Sequence, residues 1–373
     1  MKKKKNYTVI GAGNGGKAMA AHMALMGCRV TLYNRTYNNV EMIAERGGIY
    51  LESFEGGPRG FGEIVLITSD IQKALDGANI IMVVTPSSAH RDIARLVSPH
   101  LKDGQIIILH PGRTGGTLEF AAVLRQRKCT ADIVLAETET FIYASRSEGP
   151  AQARIFAIKE TVPLAALPAT DTKVVLEATR DVYPQFIDGV NVLHVGLNNM
   201  GAIFHPALTL LNTGWVESTH GNFEFYIEGA THSVSRVLEV LDRERITVAS
   251  SLGIRARTAM EWLKLAYNAE GETLYEAIHN QTGYSGIKAP PSLNHRYLFE
   301  DIPMSLVPIA SFAARYGVSV RCMESIVRIG CIIHSTDYWR RGRTLDKLEI
   351  KELSVSELTH YVNTGEHPRQ LGW

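Results

Sequence analysis

The chain has 373 residues, and its 39 lysine and arginine residues balance its 38 aspartate and glutamate residues to a formal net charge of +1 at pH 7. This length favours two domains over one core, and the balanced charge argues against a protein that binds nucleic acid or an anionic membrane surface. No segment is long and apolar enough to cross a membrane, and the four cysteines lack metal-site spacing, so we expect a cytoplasmic protein without a structural metal.

Residues 7–35 predict a strand, a glycine turn, a helix and a second strand. In the G-x-G-x-x-G pattern, Gly11 allows the tight turn, Gly13 lets backbone N–H groups approach a pyrophosphate, and Gly16 lets helix and strand pack closely. A glycine turn alone also occurs in loops for purely backbone reasons, but here all four elements fall where the pattern requires. We therefore predict that the turn binds a dinucleotide through Gly11, Gly13, Asn14, Gly15 and Gly16.

The end of the second strand indicates which dinucleotide is bound. An NAD site usually carries Asp or Glu about 20 residues past the glycines, where the carboxylate binds the ribose 2′-OH. This chain has Asn34, Arg35 and Thr36 there. Asparagine is neutral and the arginine fork suits a phosphate, so we expect NADP(H) to be preferred, with NAD(H) as the alternative cofactor. The competing interpretation of Arg35 is a solvated loop arginine.

The chain then continues to alternate between helices and strands. We predict helices at 40–46 and 71–75, a hairpin at 47–62, and strands at 65–68, 80–84, 106–109 and 133–136. Ligands of open α/β sheets bind where the strands end. Thr85 and Pro86 follow a buried strand and so join the predicted cofactor site, and the turn 110–116 and the segment 137–146 are expected at the same edge.

The second half of the chain has a different pattern. Residues 151–180 are expected to be short strands, joined by Pro163 and Pro168, that close the nucleotide domain. Long helical patterns follow, at 192–212, 228–252, 258–270, 304–316 and 323–333. We therefore predict an α/β N-terminal Rossmann-type dinucleotide-binding domain at 1–183 and an all-α C-terminal domain at 184–373.

Three places in the helical half have residues suited to chemistry, and we interpret one of them, Arg340-Arg341-Gly342-Arg343, as a solvated turn rather than a phosphate clamp. His205 precedes Pro206 inside a helical pattern, and a proline removes a backbone N–H and kinks a helix. On this feature alone, a buried structural histidine is the favoured interpretation. The segment 294–303 brings an arginine and two carboxylates, Arg296, Glu300 and Asp301, ahead of a helix. Carboxylates in that position also serve as ordinary N-terminal caps.

Together these residues resemble the opine dehydrogenases of the octopine/nopaline dehydrogenase family. The resemblance runs nearly end to end, and its most specific part is the R-Y-x-x-E-D-x-P block at 296–303 in combination with the His205-Pro206 helix. Further matching segments are the first glycine turn, 110–116, 137–146, 274–278 and 342–345. The resemblance implies that His205 and Asp301 are the catalytic pair. It also implies that the amino-acid substrate is bound by Arg296, Glu139 and Ser145.

The resemblance implies the reductive condensation of an amino acid with a 2-oxo acid, typically pyruvate, to give an N-(carboxyalkyl) amino acid. Asp301 would hold His205 in one tautomer and raise its pKa, so that the imidazolium polarises a carbonyl or imine and donates a proton. A nicotinamide supplies the hydride, and a cleft between the domains is expected to bring the substrates together. The expected partners are small molecules, and a homodimer stays open.

Two other functions compete with this one. A 2-oxo acid or ketone reductase of the ketopantoate or glycerol-phosphate dehydrogenase type would use a lysine in the first long helix of the second domain, but residues 196–205 contain no lysine and instead have Asn198 and Asn199. A non-catalytic NADP(H) sensor would not need a histidine, an aspartate and an arginine from distant segments. The chain also departs from the family at Arg321-Cys322, where relatives often have Thr-Pro, and at Asn34-Arg35, where it differs from NAD-using members.

Overall fold

The computed structural model describes residues 5–368, which form two compact units. The first unit contains residues 5–112, 116–195 and 356–368, and the second contains residues 113–115 and 196–355. The second unit therefore includes three residues of the glycine-rich turn at 110–116 in addition to most of the helical half. The domain boundary at 183 stays a prediction.

The first unit is built on β-strands. The strands of the described chain are β1 (Asn6–Ile10), β2 (Arg29–Tyr33), β3 (Gly48–Ser53), β4 (Gly60–Glu63), β5 (Leu66–Thr68), β6 (Ile80–Val83), β7 (Ile106–Leu109), β8 (Val134–Thr138), β9 (Tyr143–Gly149), β10 (Gln152–Ile158), β11 (Val162–Leu167) and β12 (Phe186–Asp188). Eight of them form one sheet in the order β12-β11-β8-β7-β6-β1-β2-β5. Only β11 and β8 run antiparallel among the neighbouring pairs of this sheet. The predicted Rossmann-type parallel sheet is confirmed.

The centre of this sheet explains its apolar sequences. Every residue of β6 and β7 is buried, and Val9, Met82 and Ile108 belong to one hydrophobic core. Parallel strands covered on both faces have no solvent-facing side, so their sequences are continuous apolar runs rather than alternating ones. The polar residues that follow β1, β6 and β7 therefore mark the carboxyl edge of the sheet, where ligands bind in this architecture.

A second, four-stranded sheet has the order β4-β3-β10-β9. The β3–β4 pair is antiparallel, which confirms the predicted hairpin at 47–62. The expectation for residues 151–180 is only partly right. The β10 strand pairs with β3 and β9 in this second sheet, only β11 joins the main sheet, and residues Thr172–Thr179 form a helix. The parallel β3–β10 pair joins segments about a hundred residues apart, which local sequence patterns do not specify.

The helices are α1 (Asn14–Leu25), α2 (Glu41–Arg46), α3 (Ile71–Leu75), α4 (His90–Val97), α5 (Gly116–Gln126), α6 (Thr172–Thr179), α7 (Val192–Leu197), α8 (Gly201–Leu211), α9 (Thr213–Thr219), α10 (His232–Ser251), α11 (Ala259–Tyr267), α12 (Leu274–His279), α13 (Arg296–Phe299), α14 (Val307–Tyr316), α15 (Arg321–Ile333), α16 (Tyr338–Arg341) and α17 (Val355–Thr364). A π-helix spans Ile302–Leu306, and single 3₁₀ turns lie at Tyr37–Asn39, Ser87–Ala89, Ser98–His100, Ala169–Asp171 and Thr282–Tyr284. Within the described part of the second unit, the only β-pairing is one isolated bridge, Glu224 with Lys288. The predicted helical domain is confirmed.

The helix predicted at 192–212 is two helices, α7 and α8, with a break at 198–200. The side chains in the break form tertiary hydrogen bonds. Asn198 Oδ1 accepts from the Arg257 backbone N–H at 2.8 Å, and Asn199 Nδ2 donates to Ser305 Oγ at 2.8 Å. Asparagine has low helix propensity because its amide competes for hydrogen bonds in this way. The break allows α8 to begin at Gly201.

Among residues 5–368 no helix is both long and apolar enough to cross a membrane. In the same range, no group of three or more histidine, cysteine, aspartate and glutamate side chains is arranged to hold a metal ion.

Candidate active site

The glycine turn between β1 and α1 has the geometry that a dinucleotide pyrophosphate requires. A Cβ on Gly11, which has φ +110°, would lie 2.5 Å from the Val84 carbonyl oxygen, and one on Gly16 would lie 1.7 Å from the Gly11 carbonyl oxygen. These two glycines are therefore required by the packing of the chain itself. Gly13 differs, because a Cβ there would meet nothing within 4 Å, and the exposed backbone at Gly13 leaves room for a ligand.

The first turn of α1 is open to an anion. Gly13 is its N-cap, no side chain caps the helix, and the first turn has no acidic residue. Asn14 Oδ1 instead accepts from the Ser147 backbone N–H of β9 at 3.0 Å. Free N–H groups at a helix N-terminus bind phosphate favourably, so this helix start fits a dinucleotide. The individual contacts of Asn14 and Gly15 with a cofactor stay predictions.

Asn34 shapes the segment that follows β2. Its Oδ1 accepts from the Ala12 backbone N–H at 3.3 Å, and its Nδ2 donates to the Thr36 carbonyl oxygen at 2.8 Å. The side chain therefore ties the glycine turn to the loop after β2. Arg35 is exposed, and its guanidinium has no hydrogen bond or ion pair to the described residues. The fork is thus available for a phosphate, which fits NADP(H) binding.

Thr85 lies against the glycine turn at the end of β6. A Cβ on Gly11 would lie 3.0 Å from Thr85 Cγ2, and Thr85 Oγ1 is buried without a hydrogen-bond partner among the described residues. Buried hydroxyl groups are normally hydrogen-bonded. The orphaned hydroxyl beside the glycines is consistent with the predicted place of Thr85 and Pro86 in the cofactor site.

Two predicted substrate-binding residues belong to the first unit. Glu139 is buried one residue beyond β8, and its backbone N–H donates to the Pro163 carbonyl oxygen at 2.9 Å. Ser145 is half-buried on β9, opposite Ile155 of β10. The other predicted substrate ligand, Arg296, belongs to the second unit. The roles of all three stay predictions.

The second unit brings His205 and Asp301 into contact, although 96 positions separate them in the chain. His205 lies on α8, and Asp301 immediately precedes the π-helix. His205 Nδ1 and Asp301 Oδ2 are 2.8 Å apart, and the Asp301 side chain is completely buried whereas that of His205 is 15% exposed. This is the distance of a charge-assisted hydrogen bond. The contact is present, whereas the catalytic role of the pair stays a prediction.

The His205 ring has a fixed orientation. The Tyr297 ring stacks on it with centroids 4.0 Å apart and planes 17° apart, and the Phe225 ring in turn stacks on Tyr297 with centroids 5.2 Å apart. With Nδ1 used by the Asp301 carboxylate, the neutral imidazole has its hydrogen on Nδ1 and a lone pair on Nε2. The arrangement therefore prepares Nε2 for proton transfer.

Burial lowers the pKa of the His205 imidazole below its ordinary range, and the Asp301 carboxylate opposes this shift without reversing it. Asp301 raises the pKa of His205 as expected, but the sequence does not reveal that burial of the ring outweighs this contribution. Burial also acts to raise the pKa of the Asp301 carboxyl, but Arg113, His205 and Arg296 outweigh it and hold that pKa at about 2. At neutral pH the pair is a carboxylate beside a neutral imidazole.

Arg296 begins α13 and is exposed. Its guanidinium has no hydrogen bond or ion pair to the described residues, yet its charge lowers the pKa of both His205 and Asp301. An unpaired guanidinium within electrostatic reach of the histidine suits a substrate carboxylate.

Arg113 is a residue that the sequence interpretation missed. It is 9% exposed and has φ +60°. Its Nη1 lies 3.3 Å from Asp301 Oδ1 and its Nε lies 3.7 Å from Glu300 Oε1. The available signal was an arginine between glycines in the turn 110–116, but nothing in that turn indicates that residues 113–115 cluster with the helical unit. The buried Arg113 guanidinium next to the pair is found only from the tertiary structure.

Two family models match the chain. Residues 189–334 match the alpha-helical domain of the NAD/NADP octopine/nopaline dehydrogenases, and residues 6–122 match the N-terminus of NAD-dependent glycerol-3-phosphate dehydrogenase. An opine dehydrogenase of Arthrobacter sp. (strain 1C) is 37% identical over 352 residues, which cover 94% of this chain and 97% of the relative. Protein ocs of Agrobacterium tumefaciens (strain Ach5) is 24% identical, with coverage of 95% and 98%.

Solved structures show the same fold. An octopine dehydrogenase in complex with NADH and agmatine superposes with a TM-score of 0.82 at 19% identity, covering 97% of this chain and 98% of that chain. A yersinopine dehydrogenase with bound NADP⁺ gives a TM-score of 0.78 at 15% identity, with coverage of 94% and 99%.

Proposed function

The chain belongs to the octopine/nopaline dehydrogenase family, and we propose that it joins an amino acid to a 2-oxo acid such as pyruvate with His205 and Asp301 as its acid–base pair. It is an opine dehydrogenase, an NAD(P)-dependent oxidoreductase that acts on CH–NH groups. The observation that supports these residue roles is the 2.8 Å contact between His205 Nδ1 and Asp301 Oδ2. An imidazole that a carboxylate orients in this way is suited to proton transfer at a carbonyl.

The reaction requires protons at defined atoms. The amine of the amino acid adds to the carbonyl carbon of the 2-oxo acid, water leaves, and the resulting protonated imine is reduced to the secondary amine. The His205 imidazolium donates from Nε2 to the oxygen that leaves as water, and Asp301 stabilises the imidazolium through Nδ1. When bound, the nicotinamide supplies the hydride to the imine carbon.

Arg296 is proposed to bind a substrate carboxylate through its planar fork. A carboxylate held there adds negative charge near His205 and so favours the imidazolium. In the free protein burial favours the neutral ring. Substrate binding would thus provide the proton donor at the time when it is needed. Glu139 and Ser145 are proposed as further ligands of the amino acid on the basis of the family motif that contains them.

The amine dependence of NADPH oxidation tests the proposed function. Oxidation of NADPH with pyruvate alone is compared with oxidation after each member of a panel of amino acids is added. The panel includes arginine and agmatine, because the similar octopine dehydrogenase was solved with agmatine. A rate that depends on the amine supports the proposal. Equal rates with and without amine indicate a 2-oxo acid reductase, and no oxidation under any condition indicates a sensor.

The protein binds NAD(P)(H), and we propose that NADPH is preferred over NADH because Arg35 is unpaired and no carboxylate follows β2. A charge-assisted arginine–phosphate contact is worth about 1.5–3 kcal/mol, or at least about 10-fold in affinity. The double variant with Asn34→Asp and Arg35→Ala should therefore shift the ratio of kcat/KM values toward NADH. Arg46→Ala, which removes an exposed arginine at the end of α2, is the control. Equal use of both cofactors by the unmodified protein would contradict the prediction.

The pH dependence of opine oxidation should report the pKa of His205. In this direction the neutral imidazole is the base, so kcat/KM for the opine rises as the pH increases through that pKa and then levels. Because burial lowers the pKa of His205, the midpoint of this rise in kcat/KM should lie below the ordinary histidine pKa of about 6.5. The secondary amine of the opine loses its proton at much higher pH and adds a separate rise to the pH profile.

Asp301→Asn should move the rise that reports His205 to still lower pH, since it removes the charge that raises the pKa of His205. A rise that stays in place would argue against His205 as the base.

A further inference from the structure

The backbone around Arg113 is fixed by the helical unit at three points. The Thr114 backbone N–H donates to the Met304 carbonyl oxygen at 3.2 Å, and Thr114 Oγ1 donates to the Gly196 carbonyl oxygen at 2.8 Å. Arg343 is completely buried, so the solvated turn expected at 340–343 is wrong for this residue, and its Nη1 donates to the Thr114 carbonyl oxygen at 3.3 Å. These contacts hold Arg113 at φ +60°, a conformation that is unfavourable for a non-glycine residue. The surroundings therefore fix the place of the Arg113 side chain.

The lack of a side chain at Gly201 leaves space for the Arg113 guanidinium. A Cβ on Gly201, the first residue of α8, would lie 2.3 Å from Arg113 Nη1. Asn199 Oδ1, in the break before α8, accepts from the same nitrogen at 3.3 Å. Asn199 Nδ2 in turn donates to Ser305 Oγ at 2.8 Å, and Ser305 Oγ donates to Asp301 Oδ1 at 3.3 Å. Arg113 and Ser305 thus approach the same carboxylate oxygen of Asp301, and Asn199 holds both.

The two carboxylate oxygens of Asp301 contact different residues. Oδ2 faces His205 Nδ1 at 2.8 Å, whereas Oδ1 faces Arg113 Nη1 at 3.3 Å and Ser305 Oγ. A carboxylate that is held at one oxygen cannot rotate, so its second oxygen stays in line with the imidazole. The side chain is completely buried, and a buried carboxylate without a cation would be protonated or unstable.

We propose that Arg113 is a positioning residue of this enzyme, which holds Asp301 through Oδ1 so that Oδ2 keeps the His205 imidazole in the tautomer with hydrogen on Nδ1 and a lone pair on Nε2. The inference rests on the proposed roles of His205 and Asp301. Arg113 acts on the reaction only through Asp301 and does not itself need to touch substrate. Reductases of the ketopantoate type would have a lysine within the segment that corresponds to residues 196–205, where this chain has none. The positive charge next to this segment is instead that of Arg113, from the turn at 110–116.

Electrostatics agrees with this geometry. The charged and titratable groups that face His205 are Asp301, Arg113, Arg296, His295 and Tyr297. Arg113 lowers the pKa of His205 directly and also lowers that of Asp301. Removing its charge should therefore raise the pKa of His205, and removing its fork should free the Asp301 carboxylate to rotate. The free imidazole then populates the tautomer with hydrogen on Nε2 as well.

Histidine NMR of the ligand-free full chain tests the proposal without any need for turnover. Nitrogen-15 shifts report both the tautomer and the pKa of His205, whose signal is assigned by its loss in His205→Gln. Arg113→Gln should raise the pKa of His205, mix its tautomers and lower kcat for the condensation by about 100-fold, the typical cost of a misplaced reacting group. Arg113→Lys retains the charge without the fork, so it should restore the pKa more completely than the tautomer.

Arg245→Gln is the matched control. Arg245 is a completely buried arginine of the same unit, is paired with Asp242, and has no contact with His205 or Asp301. This variant should lose thermal stability while the His205 signal stays as in the unmodified protein. Should Arg113→Gln fail to fold, Gly201→Ala provides the second test, because its methyl group would lie 2.3 Å from Arg113 Nη1 and 3.1 Å from Asp301 Oδ1. It would displace the guanidinium from that carboxylate oxygen and should change the tautomer in the same direction.

An unchanged His205 tautomer and pKa in folded Arg113→Gln would overturn the proposal. So would an identical change in Arg245→Gln, because that would indicate general loosening of the unit. These outcomes differ from failure of the proposed function. If the unmodified protein shows no amine-dependent oxidation of NADPH but the His205 signal responds to Arg113→Gln, the positioning role stands and the assigned reaction does not.

Discussion

Replacing His205 and Asp301 together by alanine is expected to cost little more in turnover than the worse of the two single replacements. Each single replacement should lower kcat by about 100-fold to 10,000-fold, the usual contribution of a positioned proton transfer. The side chains are 2.8 Å apart, and in the proposed mechanism both act on one proton. When either side chain is removed, the remaining one can no longer support the proton transfer, so the two losses in kcat overlap rather than add.

The measurement is kcat for amine-dependent NADPH oxidation by the two single variants and the double variant. NADPH binding, followed by fluorescence, should stay near normal, since the glycine turn belongs to the other unit of the chain. His334→Ala is the matched control, because His334 is a half-buried histidine of the helical unit whose ring, among the described residues, bonds to the Tyr338 hydroxyl and the Leu293 carbonyl oxygen. Additive losses, or full activity of His205→Ala, would remove the mechanism and leave the cofactor assignment standing.

Arg296→Ala is expected to lower kcat/KM for the carboxylate substrate by about 100-fold. The estimate corresponds to about 3 kcal/mol for a charge-assisted bidentate contact. Most of the loss should appear in KM, because a carboxylate is held both before and during the reaction. Arg296→Lys keeps the charge but loses the planar fork, so it should recover only part of the loss.

Steady-state kinetics with the 2-oxo acid and the amino acid varied in turn would show which carboxylate Arg296 binds. The substrate with the increased KM is the one that it holds. Arg321→Ala removes another exposed arginine of the helical unit and serves as the control. If both KM values stay unchanged in Arg296→Ala, the proposed clamp is wrong and the charge of Arg296 acts only on the electrostatics of His205.

The parts of the fold that follow from local patterns could be predicted from the sequence. The turn at Gly11 to Gly16 is recognisable because a Cβ at two of its positions has no space, and β6 and β7 because strands covered on both faces are continuously apolar. Pairings between distant segments could not be predicted. The β3–β10 pair of the second sheet is the clearest case, since nothing in either strand specifies the other.

The candidate site likewise has parts that could be predicted from the sequence and parts that could not. His205 and Asp301 were identified through a family motif, and the structure supplied their distance. The net direction of the His205 pKa shift could not be predicted, because burial, which lowers the pKa, depends on the whole unit around the ring. Arg113 was missed because its importance lies in a backbone turn with φ +60° and in contacts to residues 86 to 188 positions away. Charge and spacing in a sequence do not reveal such contacts.

The order in which the chain emerges from the ribosome has a consequence for how it folds. The last helix among the described residues, α17, follows the sequence of the helical unit, yet all of it except Val355 belongs to the nucleotide-binding unit. Arg125 donates to the Tyr361 hydroxyl at 2.7 Å, and Asn191 donates to the Asn363 side chain at 3.1 Å. Synthesis of the nucleotide-binding unit therefore begins first, but this unit receives α17 only after the helical unit has been made. A nascent chain released before α17 would expose the surface that Leu358, Tyr361 and Val362 cover, which makes it a substrate for chaperones and proteases.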